Sequence, residues 1–95
     1  MKYEFIITEQ AEQDILQAVL YYENQQVNLG KKFLSQLENY FKTIKKSPEL
    51  FQIKHKHFRE VFIKKFPYVI IYEIFKNKMV VYAVFNTYQD PDKKP

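Results

Sequence analysis

The chain has no cysteine, no tryptophan, a single glycine and a single arginine among its 95 residues. Without cysteine there can be no disulfide, no thiolate nucleophile and no thiolate metal site, so the fold has to be held by packing alone. One glycine, Gly30, rules out a P-loop and a dinucleotide fingerprint, both of which need several glycines to bring backbone close to phosphate. Ser35 and Ser47 have no nucleophile-elbow sequence around them. A long apolar run is also missing. In MKYEFIITEQAEQD, glutamate and glutamine interrupt the hydrophobic stretch before a signal core or a membrane span could form. The expectation is a cytoplasmic protein with no membrane association. A length of 95 residues suits one domain, which buries about two thirds of its unfolded-chain surface in one core.

What the chain has in quantity is aromatic and basic. Nine Phe and eight Tyr make up 18% of the residues, more than a core of this size can hide. The charge is uneven. Residues 1–30 hold one basic and five acidic side chains, a net of −4, whereas residues 31–95 hold fourteen basic and six acidic, a net of +8. Such separation points to an anionic partner for the second part, nucleic acid or acidic protein, against the plainer possibility of a well-solvated lysine surface.

Periodicity sets out the elements. YEFIIT (3–8) is strand-like, and Thr8 stands at an N-cap position with Glu9 in the turn that follows. Ala11, Ile15, Ala18, Val19 and Tyr22 then mark one face of a helix to about residue 25, and NQQVNLG breaks it. A second helix is expected from about Gly30 to Lys46, with Phe33, Leu34, Leu37, Phe41 and Ile44 on one stripe; Ser47-Pro48 closes it. Residues 57–64, 67–75 and 79–86 read as three strands joined so tightly that they must pair antiparallel.

The expected fold class is therefore α+β, in the order β-α-α-β-β-β. A two-helix hairpin packs on one face of a small, mainly antiparallel sheet. The single domain covers residues 1–90, and residues 91–95 form a short basic tail, the DPDKKP end reading as disordered. In FIKKFPYVIIYEI (62–74), Pro67 is tolerated because it starts the middle strand, and Lys64-Lys65 mark the hairpin corner. Tyr68, Ile70, Tyr72 and Ile74 face one way and Val69, Ile71, Glu73 and Phe75 the other. Both faces are largely apolar, so the one without helices must fold over itself or be covered by a partner.

Chemistry-bearing patterns are sparse. His55 and His57 share a spacing that could hold a metal, but with no cysteine and no third ligand nearby, no metal and no cofactor is expected. Glu60 and Glu73 could approach across a hairpin, where pairing with lysines is the simpler expectation. Arg59, Lys54, Lys56, Lys64 and Lys65 with Tyr68, Tyr72, Tyr82 and Tyr88 could neutralise phosphates and stack bases. The competing expectation places most of these tyrosines in the core.

One ordered set of short motifs carries a resemblance. Ala11, Asp14 and Ala18 lead into Tyr21-Tyr22-Glu23. Leu29-Gly30, Phe33-Leu34, Ser47-Pro48 and Phe51 follow, then Arg59, Phe66-Pro67-Tyr68 with Tyr72, Ala83-Val84-Phe85 and Asp90-Pro91. With its spacing, the set resembles the RelE/ParE superfamily of type II toxins over nearly the whole chain. The resemblance implies a small basic toxin held inactive in a hetero-oligomer by a cognate, acidic antitoxin encoded beside it.

RelE-like members cut mRNA on the ribosome, and ParE-like members poison DNA gyrase. Aligned on the Phe-Pro-Tyr strand start, the positions that carry basic groups in the RelE-like nucleases fall on Glu60, Phe62, Val69 and Gln89, none of them basic. Where related nucleases use a histidine this chain has Asn86, which leaves Tyr88 as the one conceivable acid or base. The resemblance is thus ParE-like and binding rather than catalytic, with Arg59, Lys64, Lys65, Tyr68, Asn86, Tyr88 and Gln89 as target or antitoxin contacts. The alternatives are a ribosome-dependent mRNA endonuclease and an inactive relative that serves as an interaction module.

Overall fold

A computed structural model describes residues 3–89 and 91–95. In chain order the elements are β1 (Glu4–Ile7), α1 (Glu9–Gln25), α2 (Leu29–Lys46), β2 (Ile53–His55), β3 (Phe58–Phe62), β4 (Tyr68–Phe75), β5 (Lys78–Asn86) and a 3-10 turn at Pro91–Lys93. The five strands form one sheet in the order β1-β5-β4-β3-β2. All pairs are antiparallel except β1 with β5, which run parallel. The expected α+β architecture is present with one strand more, β2, whose three residues are all exposed.

The helix boundaries follow from local chemistry. The Thr8 hydroxyl accepts the Ala11 N–H at 3.1 Å, capping α1, and Glu9 and Glu12 sit in the first turn, where the helix dipole favours them. Asn28 precedes α2 in a left-handed conformation and gives no side-chain cap. Glu23 of α1 supplies one instead, accepting the N–H groups of Asn28 (2.9 Å) and Gly30 (3.1 Å). A Cβ on Gly30 would lie 2.5 Å from the Val19 carbonyl oxygen, so the single glycine is where the two helices cross at closest approach.

The helices cover one sheet face with a core that includes Phe33, Leu37, Ile44, Ile70, Tyr72, Val81 and Val84, all essentially inaccessible. Phe66 and Tyr68 plug into this layer. Their rings stack edgewise with Tyr22 and Phe33 at centroid distances of 4.9 to 6.1 Å, so the Phe-Pro-Tyr motif is a packing device first. Pro67 precedes the strand proper, and its carbonyl accepts both the N–H (2.7 Å) and the hydroxyl (3.0 Å) of Thr87.

The second sheet face folds over itself. Val69, Ile71, Ala83 and Phe85 are buried together with Phe58 packed against them. From the tail, Lys94 reaches over the Phe85 ring at 6.0 Å and to Glu60 at 3.6 Å. The middle of that apolar face is therefore covered by the chain's own side chains, while Phe62 and Phe75 at its two ends stay more than half exposed. The tail is more ordered than its composition suggests, since Pro91–Lys93 close a turn. Asp90, half of the expected Asp-Pro pair and the expected domain end, lies outside the described residues, as does the basic Lys2.

A register shift between Ile71 and Tyr72 leaves Tyr82 as an extra residue on β5. Tyr82 and Ala83 consequently turn to the same face in succession. The bulge frees the Tyr82 carbonyl, which accepts the Thr8 hydroxyl at 3.2 Å, and so ties the end of β1 to β5.

Candidate functional site

β1 is shorter than β5, and this mismatch builds a cleft. The Thr8 N–H donates to the Val81 carbonyl at 3.0 Å, after which the chain leaves the sheet and α1 crosses over the remainder of β5. Past that point the β5 edge has no strand beside it. Asp14 meets it instead, its carboxylate accepting the Val84 N–H at 3.1 Å. A cleft of about 270 Å³ opens here, walled by Asp14, Gln17 and Tyr21 of α1 and by Tyr68, Asn86 and Gln89 from the strand ends.

The strand side is held by a short network. Tyr68 and Asn86 are register partners across β4 and β5, and the Asn86 amide donates to the Tyr68 hydroxyl in a long contact of 3.5 Å. The Asn86 side-chain oxygen accepts the Tyr88 N–H at 2.8 Å, and the Gln89 N–H donates to the Asn86 carbonyl at 3.0 Å. Burial pushes the Tyr68 phenol up from its ordinary value, only partly opposed by the Asn86 hydrogen bond, so at neutral pH it stays a neutral donor and acceptor. Tyr88 projects from this turn 86% exposed.

Tyr68, Asn86 and Gln89 are thus brought together with Tyr88 at the rim. The lysines lie elsewhere. Lys64 and Lys65 form the β3–β4 turn, where the Lys64 N–H donates to the Tyr40 hydroxyl at 3.1 Å. Lys65 lines a separate hollow with Tyr22, Lys32, Gln36 and Phe66. The Arg59 guanidinium is turned to the backbone, donating to the carbonyls of Phe51 (2.6 Å) and Glu49 (3.4 Å) and so fastening the loop after α2.

Composition singled out none of Asp14, Gln17 and Tyr21 as site residues. Their spacing of three and then four puts them on one stripe beside the apolar face, a signal open to the periodicity argument. The lining offers phenols, amides and one carboxylate already engaged by Val84 and by the Gln10 amide at 2.9 Å. These groups suit hydrogen bonding to a polypeptide surface and stacking against it. Among the described residues no three His, Cys, Asp or Glu side chains gather as a metal site, and no helix is long and apolar enough to cross a membrane.

Residues 5–91 match the family model for the ParE toxin of the type II toxin-antitoxin system parDE. The chain belongs to the ParE toxin family. Among solved structures, it is similar to the chromosomal ParDE toxin-antitoxin system of P. aeruginosa, with a TM-score of 0.76 and 9% identity over 88% of this chain and 95% of that one. At that identity the likeness is one of fold. None of the curated protein sequences matches the chain. In this ParE-family chain the Phe-Pro-Tyr segment serves the core through both Phe66 and Tyr68 and the cleft lining through Tyr68.

Proposed function

We propose that this ParE-family chain is the toxin of a type II toxin-antitoxin pair that arrests growth by binding a target of the DNA gyrase type, and that a cognate antitoxin encoded beside it neutralises it. The single observation that carries this reading is the make-up of the cleft between α1 and the ends of β4 and β5. Tyr21, Tyr68, Asn86 and Gln89 converge there as uncharged hydrogen-bonding and aromatic groups, the equipment of a protein-recognition surface. The positions where related nucleases carry basic groups hold Glu60, which faces Lys94, the buried Val69, the exposed Phe62, and Gln89 in the cleft. Family membership supports the same reading.

The test is to induce the chain alone and together with its neighbouring small gene, scoring growth, DNA breaks and mRNA integrity. Growth arrest with DNA damage and intact mRNA, relieved by the neighbour, is the expected result. Arrest with cleaved mRNA and undamaged DNA would replace it with a ribosome-dependent endonuclease. Harmless overexpression would leave an interaction module.

A further inference from the structure

Two hairpin turns lie side by side at the end of the sheet opposite the cleft. Lys56-His57 joins β2 to β3, and Lys76-Asn77 joins β4 to β5. The register brings them together, with Arg59 opposite Tyr72 and Phe75 opposite Lys78. Two strand spacings separate the turns, roughly 10 Å. Lys54, Lys56, Lys76 and Lys78 are exposed here, together with His55 and His57.

Of the acidic groups that face this end, the buried one is already engaged. Glu73 on β4 is buried, accepting the Tyr82 hydroxyl of β5 at 2.5 Å and lying 2.9 Å from His57 Nε2. The exposed Glu4 of β1 lies in register with Lys78, and all four lysines face solvent.

Two further features mark this end of the sheet. Lys56 and Lys76 both adopt left-handed backbone, with φ of 54° and 57°, a conformation shared by Lys65 (φ 71°) in the β3–β4 turn, but only here do two such lysines stand on adjacent turns. Glycine or asparagine would relieve that conformation, so at both tips a lysine stands where the backbone favours another residue. Between the tips Phe75 is 54% exposed, with the Lys76 ammonium 5.5 Å from its ring centroid. A bare ring flanked by cations on two adjacent turns fits a ribose-phosphate chain, whose bases stack, better than an acidic peptide.

We propose that this end of the sheet binds the backbone of single-stranded nucleic acid, with Lys54, Lys56, Lys76 and Lys78 neutralising phosphates and Phe75 stacking on a base. The site lies at the opposite end of β4 and β5 from the cleft, and the proposal stands independently of the growth-arrest reading.

Fluorescence anisotropy of the full chain with a labelled single strand of about 15 nucleotides tests it. The affinity should fall with salt along a log–log slope of about −3, given roughly −0.7 for each of four neutralised phosphates. Lys56→Glu combined with Lys76→Glu should weaken binding at least about tenfold and flatten the slope by about 1.4. Phe75→Ala should weaken binding at an unchanged slope. Lys31→Glu with Lys42→Glu on α2 makes the same change in net charge and should leave binding within about twofold, the affinity being local rather than bulk.

Circular dichroism checks that each variant is folded. Lys54→Glu with Lys78→Glu serves as the second pair if the turn variants melt early. Absence of binding at about 50 mM salt overturns the proposal. So does an equal loss from the α2 pair. Displacement of the oligonucleotide by a polyglutamate peptide that needs the same lysines and Phe75 reassigns the surface to an acidic protein.

Discussion

The carboxylate of Asp14 accepts the backbone N–H of Val84 at 3.1 Å, joining residues 70 positions apart in the chain. That bond seals the β5 edge where β1 stops and fixes the angle at which α1 crosses the sheet. Removing it strands a partly buried donor, which costs about 1–3 kcal/mol. Asp14→Ala should therefore lower the unfolding free energy by that amount, read as a lower urea midpoint at unchanged slope, while Asp14→Asn, which keeps an acceptor oxygen, should lose less than half of it. Equal losses in the two variants would mean that charge, not the hydrogen bond, does the work.

Gly30 gives a second prediction with an inverted sign. In an exposed helix interior Gly→Ala stabilises by about 1 kcal/mol. Here the new Cβ would sit 2.5 Å from the Val19 carbonyl oxygen, backbone that can retreat only if α1 and α2 separate. Gly30→Ala should destabilise by about 1–3 kcal/mol, visible as a lowered thermal midpoint. A raised midpoint would show that the helix crossing is looser than this.

How much of this was legible in the sequence depends on how local the cause was. Both helices follow from runs such as Phe33, Leu37, Phe41 and Ile44, and the cap at Thr8 from its own neighbourhood. β2 was not legible, because Ile53, Lys54 and His55 are all exposed and carry no alternation; only pairing with β3 makes them a strand. The parallel pairing of β1 with β5 joins the two ends of the chain, and the bulge at Tyr82 breaks the period of two that a strand pattern assumes. Tyr68 belongs to the family motif, whereas Asn86 and Gln89 were singled out as departures from it, at positions where related nucleases carry a histidine and a basic group. Asp14, Gln17 and Tyr21 joined them only once α1 was laid across β5. For Glu73, lysine was the expected partner and His57 is the observed one, since the β2–β3 turn carries that imidazole over β4.

Tyr72 links the fold to pH. Its hydroxyl donates to the Pro48 carbonyl at 2.6 Å, and burial raises the phenol from 10 to about 12 despite the opposing pull of Arg59. A raised folded-state pKa means that the unfolded chain loses this proton first. The contribution is complete below pH 10, declines above it and is gone by about pH 12, a loss of roughly 2–3 kcal/mol. Tyr82, raised to about 12 chiefly by its hydrogen bond to Glu73, works in the same direction. Tyr72→Phe should cost about 1–2 kcal/mol at neutral pH and make the decline above pH 10 shallower. Urea midpoints at several alkaline pH values check this, and parallel curves for variant and parent would refute the assignment.

Tyr21 separates recognition from stability. Its ring is 56% exposed at the cleft wall and meets the core residue Tyr22 in an edgewise contact at 5.2 Å. Truncating it removes little buried area, so Tyr21→Ala should leave the melting temperature within a few degrees of the parent. If the cleft engages a protein, an aromatic anchor at its wall is worth about 1–3 kcal/mol, or roughly 5- to 150-fold in affinity. Gln89→Ala at the opposite wall should cost less, being a single amide near solvent. Growth arrest and capture of the neighbouring gene product, measured side by side, then tell which partner uses the cleft. Loss of arrest with capture retained assigns it to the target, and the reverse assigns it to the antitoxin. If both activities survive in the Tyr21→Ala, Gln89→Ala double variant, the cleft is not the recognition surface.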